Sequence, residues 1–182
     1  MQVENNAGAE PYHIPQPEDI TQREREDAMG AYLMTFAAIG AGLPIPMAGF
    51  IASLIYHATN AKKSDFVGFH SYQSLVTEFP VSVLNAILVV WAIVIFWDAA
   101  RPYGDFVWPE DLTAFWVFLV FSITATLVYM IFSIIACIQA RKGRFYYFFF
   151  FGRIAFLRYY GSQRKISSQE KPAIRNELPK GL

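Results

Sequence analysis

The chain has 182 residues, 54% of them hydrophobic, 17% aromatic and only 16% charged, with a formal net charge of zero. A soluble domain carries about 25% charged residues, so this composition excludes an ordinary water-soluble fold and points to an integral membrane protein in a lipid bilayer. Zero net charge offers no electrostatic footprint for nucleic acid. The single cysteine, Cys137, excludes an intrachain disulfide.

Residues 1–21 hold three prolines and few apolar side chains, and they read as an extended polar tail. No basic n-region precedes the first apolar run, so no cleavable signal peptide is expected. Thr21 and Glu24 have the spacing of a capping box and predict a helix over residues 22–43. Pro44 and Pro46, with Gly42, break it, because two prolines and a glycine this close cannot stay in one regular helix. A second short apolar segment spans 46–60. The pair is expected to form a helical hairpin; the alternative is one long kinked helix from 28 to 57.

AKKSD, residues 61–65, is a basic loop. The third segment covers 67–97, and an acidic, aromatic loop with Asp98, Asp105, Glu110 and Asp111 follows it. The fourth segment covers 112–140. RFYYFFFFGRIAFLRYY, residues 144–160, is rich in Phe and Tyr and carries three arginines. It is expected to lie in the interface as a short helix, with Phe148 and Phe149 inserted and Arg153 and Arg158 on lipid phosphates; the alternative is a docking strip for a partner subunit, since aromatics and Arg dominate interface hot spots. Residues 161–182 are a second polar tail.

Charge placement chooses between hairpin and single helix. With four spans, fourteen of the fifteen Lys and Arg residues fall on one side and Arg101 alone on the other. The positive-inside rule then places both termini in the cytoplasm. The expected fold is therefore all-α: a four-helix membrane domain over residues 22–141, opening with a short hairpin and followed by the interfacial aromatic segment.

The third segment begins with an unusual density of polar groups. At about 100° per residue, with His70 at zero, Gln73 falls near −60°, Ser74 near +40°, Thr77 near −20°, Glu78 near +80° and Asn85 near +60°. These six residues occupy less than half the circumference, and unsatisfied polar groups in hydrocarbon are costly. The stripe must face other helices or a wet cavity. Pro80 lies among them, leaves the Val76 carbonyl without its helical donor and is expected to interrupt or bend the helix. Milder stripes of small and hydroxyl residues read as packing faces: Ala31, Thr35, Ala38 and Gly42 on the first helix, Gly49 and Ser53 on the second, and Ser122, Thr126, Tyr129, Ser133 and Cys137 on the fourth.

His57 and His70 flank the basic loop, but no HExxH, CxxC, Walker or GxGxxG pattern accompanies them. No catalytic residue, metal site or cofactor is expected, and the chain is not expected to be an enzyme.

The run REREDAMGAYLMTFAAIGAGLPIPMAGFIASLIYHATNAKKSDFVGFHSYQSL resembles small bacterial four-helix membrane proteins related to the chloroplast inner-envelope import component, the Tic protein of twenty kilodaltons. The resemblance rests on the arginine-containing start, the proline-bearing turn, the basic NAKKSDFV loop and the Phe69-His70-Ser71-Tyr72-Gln73 helix start. Gly143-Arg144-Phe145-Tyr146-Tyr147 is similar to a later segment of that family, with phenylalanines in place of its usual proline. The resemblance covers residues 23–160 and implies a four-helix fold in a bacterial inner membrane. The functional expectation is a non-catalytic membrane subunit or scaffold that works with other membrane subunits or as a homo-oligomer. The alternative is a translocation or conduction element with a polar path along the third helix.

Overall fold

The computed structural model describes residues 14–40, 47–99 and 111–161. Among the described residues the architecture is all-helical: α1 (Gln22–Gly40), α2 (Ala48–Asn60), α3 (Asp65–Ala99), α4 (Thr113–Arg141) and α5 (Phe149–Tyr160), with a 3-10 turn at Pro17–Asp19. Pro44 and Pro46 lie outside the described residues.

The capping box at the start of α1 forms as the spacing predicts. The Thr21 backbone N–H donates to Glu24 Oε2 at 2.9 Å and the Thr21 hydroxyl to the same oxygen at 2.7 Å. The Glu24 N–H returns to Thr21 Oγ1 at 3.3 Å. The preceding residues differ from the expected free tail. Arg25 donates to the carbonyls of Ile20 and Pro17, and Ile14 and Ile20 are buried. Two isoleucines in an otherwise polar stretch are enough to dock it, because each buries its side chain against aromatic residues of the bundle.

α1 and α2 lie side by side and antiparallel. Tyr56 donates to the Asp27 carbonyl at 2.7 Å, and Lys63 pairs with Asp27 at 2.9 Å. Gly30 permits the approach, since a Cβ there would sit 2.5 Å from the Tyr56 hydroxyl oxygen. One kinked helix cannot make these contacts, so the hairpin is the arrangement adopted.

α3 is 35 residues long and contains Pro80. The expected interruption at Pro80 does not occur. Pro80 and its neighbour Phe79 face outward, while the preceding turn is held from the inner side by α1 and α2. The missing helical bond therefore falls on the outer face and leaves the polar ties intact. α3 and α4 pair antiparallel along their far halves, where Asn85 donates to Thr126 at 3.1 Å and Trp91 packs edge-on to Phe115. Both helices are long and apolar enough to cross a membrane, with mean hydropathy 2.5 and 2.3 in their central windows. At 1.5 Å per residue α3 reaches about 52 Å, well beyond the ~30 Å hydrocarbon core.

Gly143, at φ +71°, ends α4 in a Schellman turn. Its N–H donates to Ala140, and the Arg144 N–H donates to Gln139. The turn sends the aromatic segment back along the bundle, and α5 lies on the first turns of α3. The buried face of α5 is Gly152, Ala155, Phe156 and Tyr160.

Candidate functional site: a buried polar clamp

The polar face of α3 is turned inward along its whole length. His70 and Gln73 are 0% exposed and Glu78 is 4% exposed. Sequence periodicity placed these groups on one face; the structure shows what they meet.

Near the start of α3, the Gln73 amide nitrogen donates to the Tyr146 carbonyl at 2.8 Å and to the Tyr32 hydroxyl at 2.9 Å. A backbone carbonyl only accepts, so this contact sets the orientation of the amide. Tyr32 therefore accepts from Gln73, and its own proton goes to His70 Nδ1 at 3.0 Å. In the uncharged ring the remaining hydrogen is on Nε2. That atom has no partner of full hydrogen-bond geometry, with the Arg144 backbone beside it. Rings pack around the histidine on several sides, with Phe66, Phe69 and Phe145 at centroid distances of 4.5, 4.9 and 5.9 Å. The result ties α1, α3 and the segment after α4 into one unit. Gly152 lets α5 join it: a Cβ there would lie 2.7 Å from Tyr147 Cα and 3.0 Å from Gln73 Oε1.

Two turns further along α3, Glu78 Oε2 accepts from Ser53 of α2 at 2.5 Å and from Thr35 of α1 at 3.1 Å. Thr35 also bonds the Tyr129 hydroxyl of α4 at 2.8 Å. One carboxylate, with Thr35 as the bridge to Tyr129, thereby joins α1, α2, α3 and α4. Gly49 makes room for it, because a Cβ at that position would overlap Glu78 Oε1. Exposed apolar side chains on α4 run from Trp116 to Ile138. Tyr129 lies ~13 Å of helix inside that belt by the helical rise, so the carboxylate is deep in it rather than at its edge. Between the two centres, Ser74 donates to the Ala31 carbonyl and Thr77 to the Gln73 carbonyl.

The sequence named the α3 side of these contacts. It identified Thr35, Ser53 and Tyr129 only as packing residues, and Tyr32 not at all. A tyrosine inside an apolar run gives no sign of which helix its hydroxyl meets. His57 and His70 do not share a site: His57 bonds Ser71 at 2.9 Å while His70 faces Tyr32.

The aromatic segment divides. Phe149 and Phe150 are 79% and 81% exposed, and Arg153 is exposed with them. Arg158 is exposed but stands over the Tyr72 ring at 4.7 Å. Phe148, expected in the interface, is instead buried at 4% exposure and stacks on Tyr32. It precedes the first turn of α5 in extended backbone, which turns its side chain back toward the bundle.

These features define an α-helical membrane protein whose polar residues are spent on one another inside the bundle. The chain belongs to the magnetosome magnetite crystal formation protein family (MamF/MmsF), which matches residues 24–155. That match covers the region on which the resemblance to relatives of the chloroplast import component rested, and it overturns that assignment. A proline turn, small-residue helices and a basic loop are features that many polytopic membrane proteins share, so they do not separate one family from another. No curated protein and no solved structure matches the chain.

Proposed function

We propose that the chain is a non-catalytic, multi-pass membrane component of the apparatus that forms magnetite crystals. The observation that carries this reading is the deployment of the polar groups. Each of His70, Gln73, Ser74, Thr77, Glu78 and Asn85 bonds a group on a neighbouring element or on its own helix. Residues so engaged hold a scaffold together, and among the described residues they are bonded to one another rather than ranged along an open path of the kind a conduction element needs.

In this proposal α1, α2, α3 and α4 all cross the bilayer. The antiparallel order of α1 to α4 and the one-sided distribution of Lys and Arg support both termini on the cytoplasmic side of a bacterial inner membrane. α1 and α2 are short, at 19 and 13 residues, and reach across only together with the residues that join them. The acidic connection carrying Asp98, Asp105, Glu110 and Asp111 then lies on the opposite side. On the cytoplasmic side α5 rests in the interface, with Phe149 and Phe150 in lipid and Arg153 at the phosphates. Partners in this reading are other membrane subunits or further copies of the chain.

Two measurements test it. Single cysteines at Ser64 and Asp105, in a Cys137→Ala background, should react with an impermeant maleimide from opposite sides; labelling from one side would remove the four-span arrangement. Native mass spectrometry after mild extraction from the source membrane should find the chain in a complex, and elution as a monomer alone would count against a subunit role.

A further inference from the structure

The 3-10 turn, the start of α1, the α2–α3 connection and the last turn of α5 line a half-open cavity of about 220 Å³. Its polar wall is made by Asp19, Glu24, Ser64, Asp65 and Tyr160. Tyr160 is 1% exposed, its hydroxyl has no hydrogen-bond partner, and the charges of Asp65 and Glu24 act on it directly. Buried hydroxyls in proteins are ordinarily paired, so this one marks a place for a bound group. Burial pushes the phenol well above its ordinary range, and it stays protonated.

The cavity is also negative. Burial pushes the Glu24 carboxyl up, but the bonds from Thr21 and Ser64 outweigh it and hold the group below the usual carboxylate range. Asp19 accepts from the Gln16 N–H at 2.9 Å through one oxygen only. Among the described residues the adjacent Arg25 makes no ion pair with Asp19 or Glu24, its guanidinium being bonded to the Pro17 and Ile20 carbonyls. Among the described residues no three His, Cys, Asp or Glu side chains converge as a metal centre requires. The remaining walls, Pro15, Ile20 and Phe66, are apolar. Carboxylates at one wall and hydrocarbon at the others suit a cation carried on a methylene stem.

We propose that this cavity binds a basic side chain, an arginine guanidinium or a lysine ammonium, with its charge facing Asp19, Glu24 and Asp65 and an N–H donated to the Tyr160 hydroxyl. Two sources supply that chemistry. Arg164 and Lys165 follow Tyr160 by four and five residues in the same chain, and a second protein can present the same group.

The probe is N-acetyl-arginine amide, measured by equilibrium dialysis at low salt against the full-length protein in nanodiscs of neutral lipid. A second form of the full chain carries Gln at Arg164, Lys165, Lys171, Arg175 and Lys180. If the chain's own tail is the source, the probe binds the Gln form and is excluded from the wild type. If another protein is the source, both forms bind equally. In either case Asp19→Asn together with Asp65→Asn weakens binding at least tenfold, and Tyr160→Phe weakens it about fivefold, the worth of one hydrogen bond. Glu24 is left intact because it caps α1. Absence of binding to both forms overturns the proposal, as does binding that survives the double Asn substitution.

Discussion

The two halves of α3 live in different solvents. From Asp65 to Ser82 the helix is surrounded by α1, α2, α4 and α5, and most of its side chains are buried. Beyond Asn85 its partner among the described helices is α4, and Val90, Ile93 and Trp97 are 60%, 59% and 72% exposed. On α4 the opposing surface is just as open, with Val117 and Val120 at 65% and 63%. An exposed apolar surface of this extent marks a contact with lipid or protein. The difference teaches where such a chain spends its neighbours. Polar side chains receive helix partners because lipid cannot satisfy them; apolar side chains are left to the bilayer, which solvates them at no cost. One continuous helix serves both purposes because its composition changes part-way along.

Substitutions should separate the two halves, and unfolding free energy in mixed micelles is the measurement. Tyr32→Ala removes a buried ring and the central hydroxyl of the Gln73–Tyr32–His70 chain, and should cost about 4 kcal/mol, as large-to-small aromatic changes do. Gly152→Ala comes next, at about 2 kcal/mol, because the added methyl meets Tyr147 and the Gln73 side-chain amide oxygen. Its loss should appear first as protease cleavage between α4 and α5, with the α1–α4 bundle still folded. Glu78→Gln keeps the size of the side chain but weakens the bonds from Ser53 and Thr35; hydrogen bonds between membrane helices are worth about 0.6–1.7 kcal/mol, and about 1.5 kcal/mol is expected.

Smaller effects sharpen the contrast. Thr21→Ala should cost about 1 kcal/mol through the lost cap. Because the folded Glu24 carboxyl lies below its ordinary value, the cap contributes at neutral pH and is lost as pH falls through the folded value. The Thr21→Ala protein should therefore lose less stability than the wild type over that acid range. At the far end, Val90→Ala should change stability by less than about 0.5 kcal/mol, as exposed positions usually do. A loss as large as that at Gly152 would mean that a second copy of the chain, rather than lipid and detergent, covers the distal surface.

The sequence was legible where periodicity and punctuation carry the information. Thr21 and Glu24 announced a cap, and the spacing of His70, Gln73, Ser74, Thr77, Glu78 and Asn85 placed them on one face. Pro80 misled, because a proline's effect depends on whether its empty donor position faces protein or the outside. Phe148 misled because one phenylalanine in a run of four cannot be told from the next without the backbone angle at the start of α5. The family resemblance misled for a similar reason: segment order and turn residues recur across many helical membrane proteins.

By itself the sequence determined that this chain is a membrane protein of long apolar helices, since a composition this apolar and this poor in charge has no other stable solvent. It also determined that α3 must hide one face, because that follows from 3.6 residues per turn. The tertiary structure alone decided who receives that face. Thr35, Ser53 and Tyr129 come from three different helices, and no local pattern encodes which hydroxyls meet a single carboxylate when chain segments fold together.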